Sequence, residues 1–579
     1  MVSESRGDTP TGRSSARPRI ARAQTTDPSQ EPRHPSSQFA ATQPISTQKL
    51  SPPLSRSVVT PESARRWNIG RDVAAAVLLL VAPFFPWNLY FGGGIPGGRG
   101  GVFALLLAAT ALSLGSIAAT YAGPRRLISP RFDPVLIGRL RAGLNAPYGL
   151  LVFGVVVFDV VQTVRYGGSA NVPGGVGPGA WLGIAGSLLS AQPVITSAAA
   201  DDGRFRGWLQ SARVVGYGSI TLAALSFSFN LFWRVKSALP GSTGSGFGKQ
   251  NVAIIVTALI YGIVALVAVV VASRWILRRS RVSRLAIIAL GASALLAGLI
   301  VWILPMGREI DGFHGIAQNT STAGVGFEGY LAWTAAAAIF APLILMTTMT
   351  VQQADIWRAA ARKSLLLIVV WCVGSVVMRV TDLIVSVTLS LPYSPYDSAA
   401  MAAFDLVTAV LAIWLHINLL NRALPAVVIT SACAVLLVLT IARIMVGIAF
   451  APRYAGPSPA SNAVYGNNLA QQITSTFDVV LCGLAVCILA IAVVTGRSRP
   501  TAKTTSPIRA AQPSPDPQTT RLAAGDPQTT RLATGGRAEP PSSPRIHRPP
   551  SDDTRHTSAA KPKIYRTQGD PREGGRHQA

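Results

Sequence analysis

Six ionisable side chains lie inside long apolar runs: Asp159, Arg379, Asp382, Asp405, Arg443 and Asp478. An ionised group in hydrocarbon is costly, so each of them calls for a partner or a task. Arg379 and Asp382 stand three residues apart and can pair along one helix face. Arg443 can neutralise Asp405 or Asp478. Four carboxyls against two guanidiniums still leave two acids without a cation. A carboxyl in that position can carry a proton, bind a cation or hydrogen-bond a polar ligand. The six are therefore the candidate substrate- or proton-handling residues. The competing account is that they form interhelical ion pairs that only fix packing.

Other residue types offer less. Glu309, Asp311 and His314 form the one candidate catalytic or metal cluster in a loop. Their spacing fits a solvated loop better than a metal site, so neither a metal nor a cofactor is expected. Cys372, Cys433, Cys482 and Cys487 all fall within apolar runs, with no CxxC pair, and read as small packing residues. Near the C-terminus, residues 516–525 (Asp-Pro-Gln-Thr-Thr-Arg-Leu-Ala-Ala-Gly) are followed directly by a near-copy at 526–535. Thr519, Thr520, Thr529 and Thr530 are candidate phosphoacceptors there. Each phosphate would add about −1.5 to −2 charge and make an epitope for a Ser/Thr kinase or a phosphothreonine-binding partner. Slippage duplication in an unconstrained tail is the simpler explanation of the repeat.

The buried charges must be positioned by membrane spans. Apolar runs of about 20 residues, enough to cross roughly 30 Å of hydrocarbon, recur near 72–92, 101–122, 148–166, 180–200, 213–235, 252–274, 284–305, 329–351, 364–391, 398–421, 425–450 and 471–496. The fold class expected is an all-α bundle of about twelve transmembrane helices. Loops after the even-numbered spans hold 17 Lys/Arg against 7 after the odd-numbered ones. The positive-inside rule then puts the even set, and both chain termini, on the cytoplasmic side. In that frame Asp159, Asp405, Arg443 and Asp478 lie about 10–12 Å below the outer boundary. Asp382 is slightly deeper and Arg379 is near the midplane, so one converging polar layer is expected. Phe158-Asp159, Phe404-Asp405 and Phe477-Asp478 share a Phe-Asp-apolar-Val pattern. The third and ninth spans are alike in the way that a parallel 6+6 pseudo-repeat would make them.

Composition agrees with this reading. The 579 residues carry a formal charge of +27 although 49% are hydrophobic and only 13% charged. A nucleic-acid binder would explain the basicity but not the apolar content, so no nucleic-acid partner is expected. The Ser/Thr/Pro-rich tails, 1–68 and 497–579, cannot bury enough apolar surface to offset their ordering entropy and should be disordered. They flank a transmembrane domain at 69–496. Residues 131–144 and 352–363 read as amphipathic cytoplasmic segments. There Arg131, Arg139, Arg141, Arg358, Arg362 and Lys363 would lie on anionic lipid headgroups.

Pro86-Trp87-Asn88-Leu89-Tyr90-Phe91, followed by Gly94-Ile95-Pro96-Gly97, resembles a signature of uncharacterised polytopic membrane proteins of actinobacteria. The resemblance covers roughly 70–500 and implies an actinobacterial plasma membrane. It carries no known activity. Three function classes remain: a transporter or flippase-like protein, a lipid-linked glycosyl or acyl transferase of the envelope, and a non-catalytic scaffold with phosphorylatable tails. The buried acids favour the first, and the sequence leans away from catalysis.

Overall fold

The computed structural model describes residues 61–88, 100–122, 134–165, 175–195, 202–239, 247–303, 324–350, 354–390, 395–421, 423–450 and 476–497. The tail threonines, the Glu309–Asp311–His314 cluster and Arg131 lie outside these residues.

Twelve α-helices account for almost all of the described chain. They are α1 (Pro61–Val81), α2 (Gly100–Ala122), α3 (Pro134–Arg165), α4 (Pro178–Ala191), α5 (Asp202–Ala238), α6 (Lys249–Leu277), α7 (Arg281–Ile303), α8 (Phe327–Thr350), α9 (Ala354–Thr388), α10 (Pro395–Asn418), α11 (Ala426–Phe450) and α12 (Thr476–Arg497). Eleven are long and apolar enough to cross a membrane; α4 is the exception. This is the build of a multi-pass membrane protein. Leu, Ile, Val and Phe side chains face outward along most helices, as a lipid solvent permits. Small residues line the seams. A Cβ on Gly291 of α7 would sit 2.6 Å from the carbonyl oxygen of Trp333 in α8, so glycine is what lets these two backbones approach.

The packing forms three groups. Helices α1 to α4 make a quartet, with α1 and α3 both against α4 and α2 against α3. Helix α4 leads from the quartet to α7 and α8, while α5 packs on α6 and α8. Helices α9 to α12 form the third group, with α9 also against α6 and α7. The core lies where α4, α7, α8, α9 and α12 meet. Trp181, Tyr330, Trp333, Phe477 and Trp371 form a chain of ring contacts through it, with centroids 4.7 to 6.5 Å apart.

The fourth span departs from the continuous helix expected over 180–200. Helix α4 has 14 residues, about 21 Å at 1.5 Å per residue. The chain then turns extended at Gln192 and is not helical through Ile195. It nevertheless runs antiparallel to α1 along most of that helix's length. Gly177 N–H donates to the Trp87 carbonyl at 2.9 Å and Gly179 N–H to the Pro86 carbonyl at 2.9 Å. At the other end Ile195 N–H donates to Asn68 Oδ1 at 3.0 Å. A half-helix plus a non-helical tail therefore covers the depth of a span. The short α4 has no 14-residue counterpart in the second half, where α10 has 24 residues.

Both segments read as amphipathic surface pieces are instead the first turns of long helices. Residues 134–144 open the 32-residue α3, and 354–363 open the 35-residue α9. Their cations largely turn inward to helix ends. Arg358 Nη2 donates to the Thr495 carbonyl at 2.9 Å. Arg362 Nε donates to the His416 carbonyl at 2.8 Å, and Lys363 Nζ bonds Ser283 Oγ. Helix α1 likewise begins at Pro61, inside the stretch expected to be disordered.

Candidate functional site

The six charges picked from sequence fall into three places. The tightest is built on α9 to α12. Arg443 of α11 pairs with Asp405 of α10 through Nε and with Asp478 of α12 through Nη1. Its Nη2 also donates to Ser375 Oγ of α9 at 2.9 Å. Trp371 Nε1, one turn earlier on α9, donates to Asp478 Oδ1 at 2.7 Å. Asp405 is 0%, Asp478 4% and Arg443 6% exposed, so solvent screens nothing here. Two carboxylates against one guanidinium leave the triad at −1. Asp478 is the third residue of α12, where the positive end of the helix dipole offsets part of that excess. The expected start of this span was five residues earlier, so Asp478 belongs to a helix terminus rather than eight residues into a span.

The second place lies further along the same face of α9. Trp371, Ser375, Arg379 and Asp382 follow one another at four, four and three residues. Arg379 Nη1 is 3.8 Å from Asp382 Oδ2, and the Tyr261 hydroxyl of α6 donates to Asp382 Oδ1. This is the expected intrahelical pair, with a tyrosine from the neighbouring helix added.

Asp159 stands apart on α3, which packs in the quartet rather than against α9 to α12. It is 1% exposed, and among the described residues no side chain hydrogen-bonds its carboxylate. The backbone of Gly175 abuts it. Gly175 has φ of 67°, the left-handed region that glycine enters without strain. The single converging layer is thus divided between two helix groups.

Sequence reasoning missed a fourth polar cluster, at the broken end of α4. Arg141 of α3 donates through Nε to the Ser190 carbonyl at 2.5 Å. It also grips Asp72 of α1 with both terminal nitrogens, at 2.6 and 3.2 Å. Arg71 Nε donates to Asp72 Oδ1 at 2.9 Å, and its Nη1 to the Pro193 carbonyl at 2.9 Å. Tyr121 of α2 donates its hydroxyl to Asp72 Oδ2 at 2.9 Å. Asn68 Nδ2 donates to the Ile195 carbonyl at 2.8 Å, and Gln192 Nε2 to the Ala338 carbonyl of α8 at 2.8 Å. The unwound backbone therefore finds side-chain partners for the groups that a continuous helix would have paired internally. Asp72 and Arg141 are both 2% exposed or less, so Arg141, expected on anionic headgroups, turns into the bundle instead. Gln192-Pro193 inside an apolar run was the available signal, since proline removes a helix hydrogen bond.

The Pro86-Trp87-Asn88 stretch has a structural task. It forms a hook after α1, where Trp87 Nε1 donates to the Ala82 carbonyl at 3.2 Å and Asn88 bridges to Val176. The hook docks the start of α4, and Gly179 is required because a Cβ there would lie 2.6 Å from the Phe85 carbonyl oxygen.

A family model described as a domain of unknown function, DUF7937, matches residues 68–497. The chain belongs to that family, and the match takes in the helical bundle except the first turns of α1. No curated protein and no solved structure matches it.

Proposed function

We propose that this member of the DUF7937 family is a membrane carrier of the transporter or flippase-like class. One observation carries the reading. Helix α4 unwinds after Ala191, level with Asn68 to Asp72 of α1, and its freed carbonyls are held by buried guanidinium and amide groups from α1 and α3. A bundle built only as a scaffold gains nothing from a broken span. In carriers, interrupted helices supply the polar backbone that meets the solute and the element that rearranges. The acid-rich triad on α9 to α12 and the lone Asp159 supply further polar groups on other helices. We place the protein in an actinobacterial plasma membrane with both tails cytoplasmic. Arg139 would meet anionic headgroups, and Thr519, Thr520, Thr529 and Thr530 would take regulatory phosphate.

The test is genetic and chemical together. Metabolite profiles of cells and medium from a deletion strain should show a solute or lipid displaced to one side of the membrane. Wild-type protein should restore the distribution, and so should a chain ending at residue 496. An Asp159→Asn chain at normal abundance should not. If the truncated chain fails and Asp159→Asn succeeds, the tails carry the function and the scaffold reading replaces the carrier.

A further inference from the structure

One long stretch of the chain is unbalanced in charge. Between Asp202 and Glu309 there is no acidic residue, yet the turn from α6 to α7 brings together Arg274, Arg278, Arg279, Arg281 and Arg284. Arg284 turns inward, with its guanidinium 5.4 Å from the centre of the Phe340 ring of α8. The other four are exposed. The start of α9 adds Lys363, which is half-buried and within electrostatic reach of Arg278. Its Nζ donates to Ser283 Oγ, which lies 2.8 Å from Ser280 Oγ. The lysine is thereby tied to the turn. Helix α5 runs antiparallel to α6, and a Cβ on its Gly216 would lie 3.0 Å from Leu277 and 3.2 Å from Ile276. Arg213, three residues earlier on α5, therefore comes level with the same turn.

Among the described residues no carboxylate forms a salt bridge with any of these six cations, Arg213, Arg274, Arg278, Arg279, Arg281 and Lys363. The one acid in the first turns of α9, Asp355, is engaged with Arg358 at 3.6 Å. The buried guanidiniums of Arg141 and Arg443 do have carboxylate partners. Like charges gathered without a counter-charge repel one another, and an anion from outside the chain relieves that repulsion.

The surface below the cations says which anion. On α6, Ile263 and Val267 are exposed at 43% and 42%. Arg274 follows Val267 by seven residues and Arg278 follows by four more, so all four share one helix face. That face is apolar along its length and cationic at its end, where two membrane-length helices meet. An acyl chain beneath a negatively charged headgroup has the complementary form. A soluble phosphate or an acidic peptide would engage the charges and leave the apolar stripe unused. Basic clusters at the ends of spans attract anionic headgroups. We propose that the α6–α7 turn, completed by Lys363 and Arg213, binds the phosphate of an anionic phospholipid whose acyl chain lies along Val267 and Ile263. The site rests on the multi-pass build and stands whether or not the chain is a carrier.

Lipid titration tests it. The full chain in neutral detergent should bind acyl-labelled phosphatidylglycerol saturably, and unlabelled phosphatidylcholine should not compete. Combining Arg278→Gln, Arg279→Gln and Arg281→Gln should weaken that binding at least about tenfold. The same loss of charge in the C-terminal tail, Arg545→Gln, Arg548→Gln and Arg555→Gln, should change it less than about twofold. Equal affinity of the wild type and the turn variant overturns the site. Displacement of the lipid by excess inorganic phosphate would mark a site for a soluble anion and overturn the lipid as its ligand. Photo-crosslinking of the unaltered protein keeps the test open if the turn variant does not fold. Phosphatidylglycerol with a diazirine on its acyl chain should label α6 around Ile263 and Val267 above α11, where Val435 and Val438 are likewise exposed at 51% and 62%. Even labelling of the two helices would also overturn the site.

Discussion

Charge arithmetic in the Asp405–Arg443–Asp478 triad makes a prediction that runs against intuition about buried salt bridges. Replacing either acid by asparagine takes the triad from −1 to neutral. The introduced amide could still accept a hydrogen bond from Arg443 through its carbonyl oxygen. The loss is then the difference between a charged and a neutral acceptor, about 1 kcal/mol. Replacing Arg443 by methionine takes the triad to −2. Asp405 at 0% and Asp478 at 4% exposure would then share a dry site with no cation. Removing one partner of a buried pair in this way costs about 3–5 kcal/mol. The order of stability should therefore be wild type, then Asp405→Asn and Asp478→Asn, then Arg443→Met far below. Combining Arg443→Met with both asparagine substitutions should recover much of the loss, since no charge remains. Thermal unfolding in one detergent, followed by tryptophan emission, reads this directly because Trp371 donates to Asp478. The gap between Arg443→Met and Asp405→Asn should be on the order of 5 °C. If Arg443→Met melts no lower than Asp405→Asn, the triad is not held together as an ion-pair site.

Among the described residues Asp159 has no side-chain hydrogen-bond partner, so Asp159→Asn should leave the unfolding temperature unchanged or raise it; a fall comparable to Arg443→Met would show that the carboxylate is structural. Gly291→Ala should destabilise by about 1–3 kcal/mol through overpacking, because its Cβ would press on Ala337 and the Trp333 carbonyl. Gly115→Ala on α2 meets nothing within 4 Å and should stabilise by about 0.5–1 kcal/mol; equal effects in thermal unfolding would refute the tight α7–α8 seam. Arg141→Met takes one of two cations from Asp72 and strands the Ser190 carbonyl, so amide hydrogen exchange should rise over 190–195 while α9 to α12 stay protected. A uniform rise across the bundle would mean that the clamp supports the whole fold rather than the broken span.

What the sequence shows and what it hides follow from one physical asymmetry. Hydrocarbon length is a blunt constraint that acts on every span, so twenty-residue apolar runs betray the helices, and eleven of the twelve expected spans meet the length requirement. Single charges in such runs are equally conspicuous, which is why Asp405, Arg443 and Asp478 stood out and prove to touch one another. Their partners were harder to read. Ser375, Trp371 and Tyr261 are ordinary residues in apolar segments, and only the register between helices turns them toward a charge. The least legible region was the fourth span. Apart from Gln192-Pro193 its apolar content continues past the break, because residues that pack inside a bundle look the same whether the backbone is helical or not. The compensation sits elsewhere. Asn68, Arg71 and Arg141 lie 127, 122 and 49 residues from the carbonyls they hold, and from composition alone the two arginines pass for topology-setting charges at the membrane edge. A basic residue at a span boundary has two readings, a headgroup anchor or a cap for broken backbone, and a nearby proline separates them. The Gln192-Pro193 step, unsupported by any charged residue of its own segment, requires donors from other helices; Arg71 and Arg141 supply them and hold the Pro193 and Ser190 carbonyls.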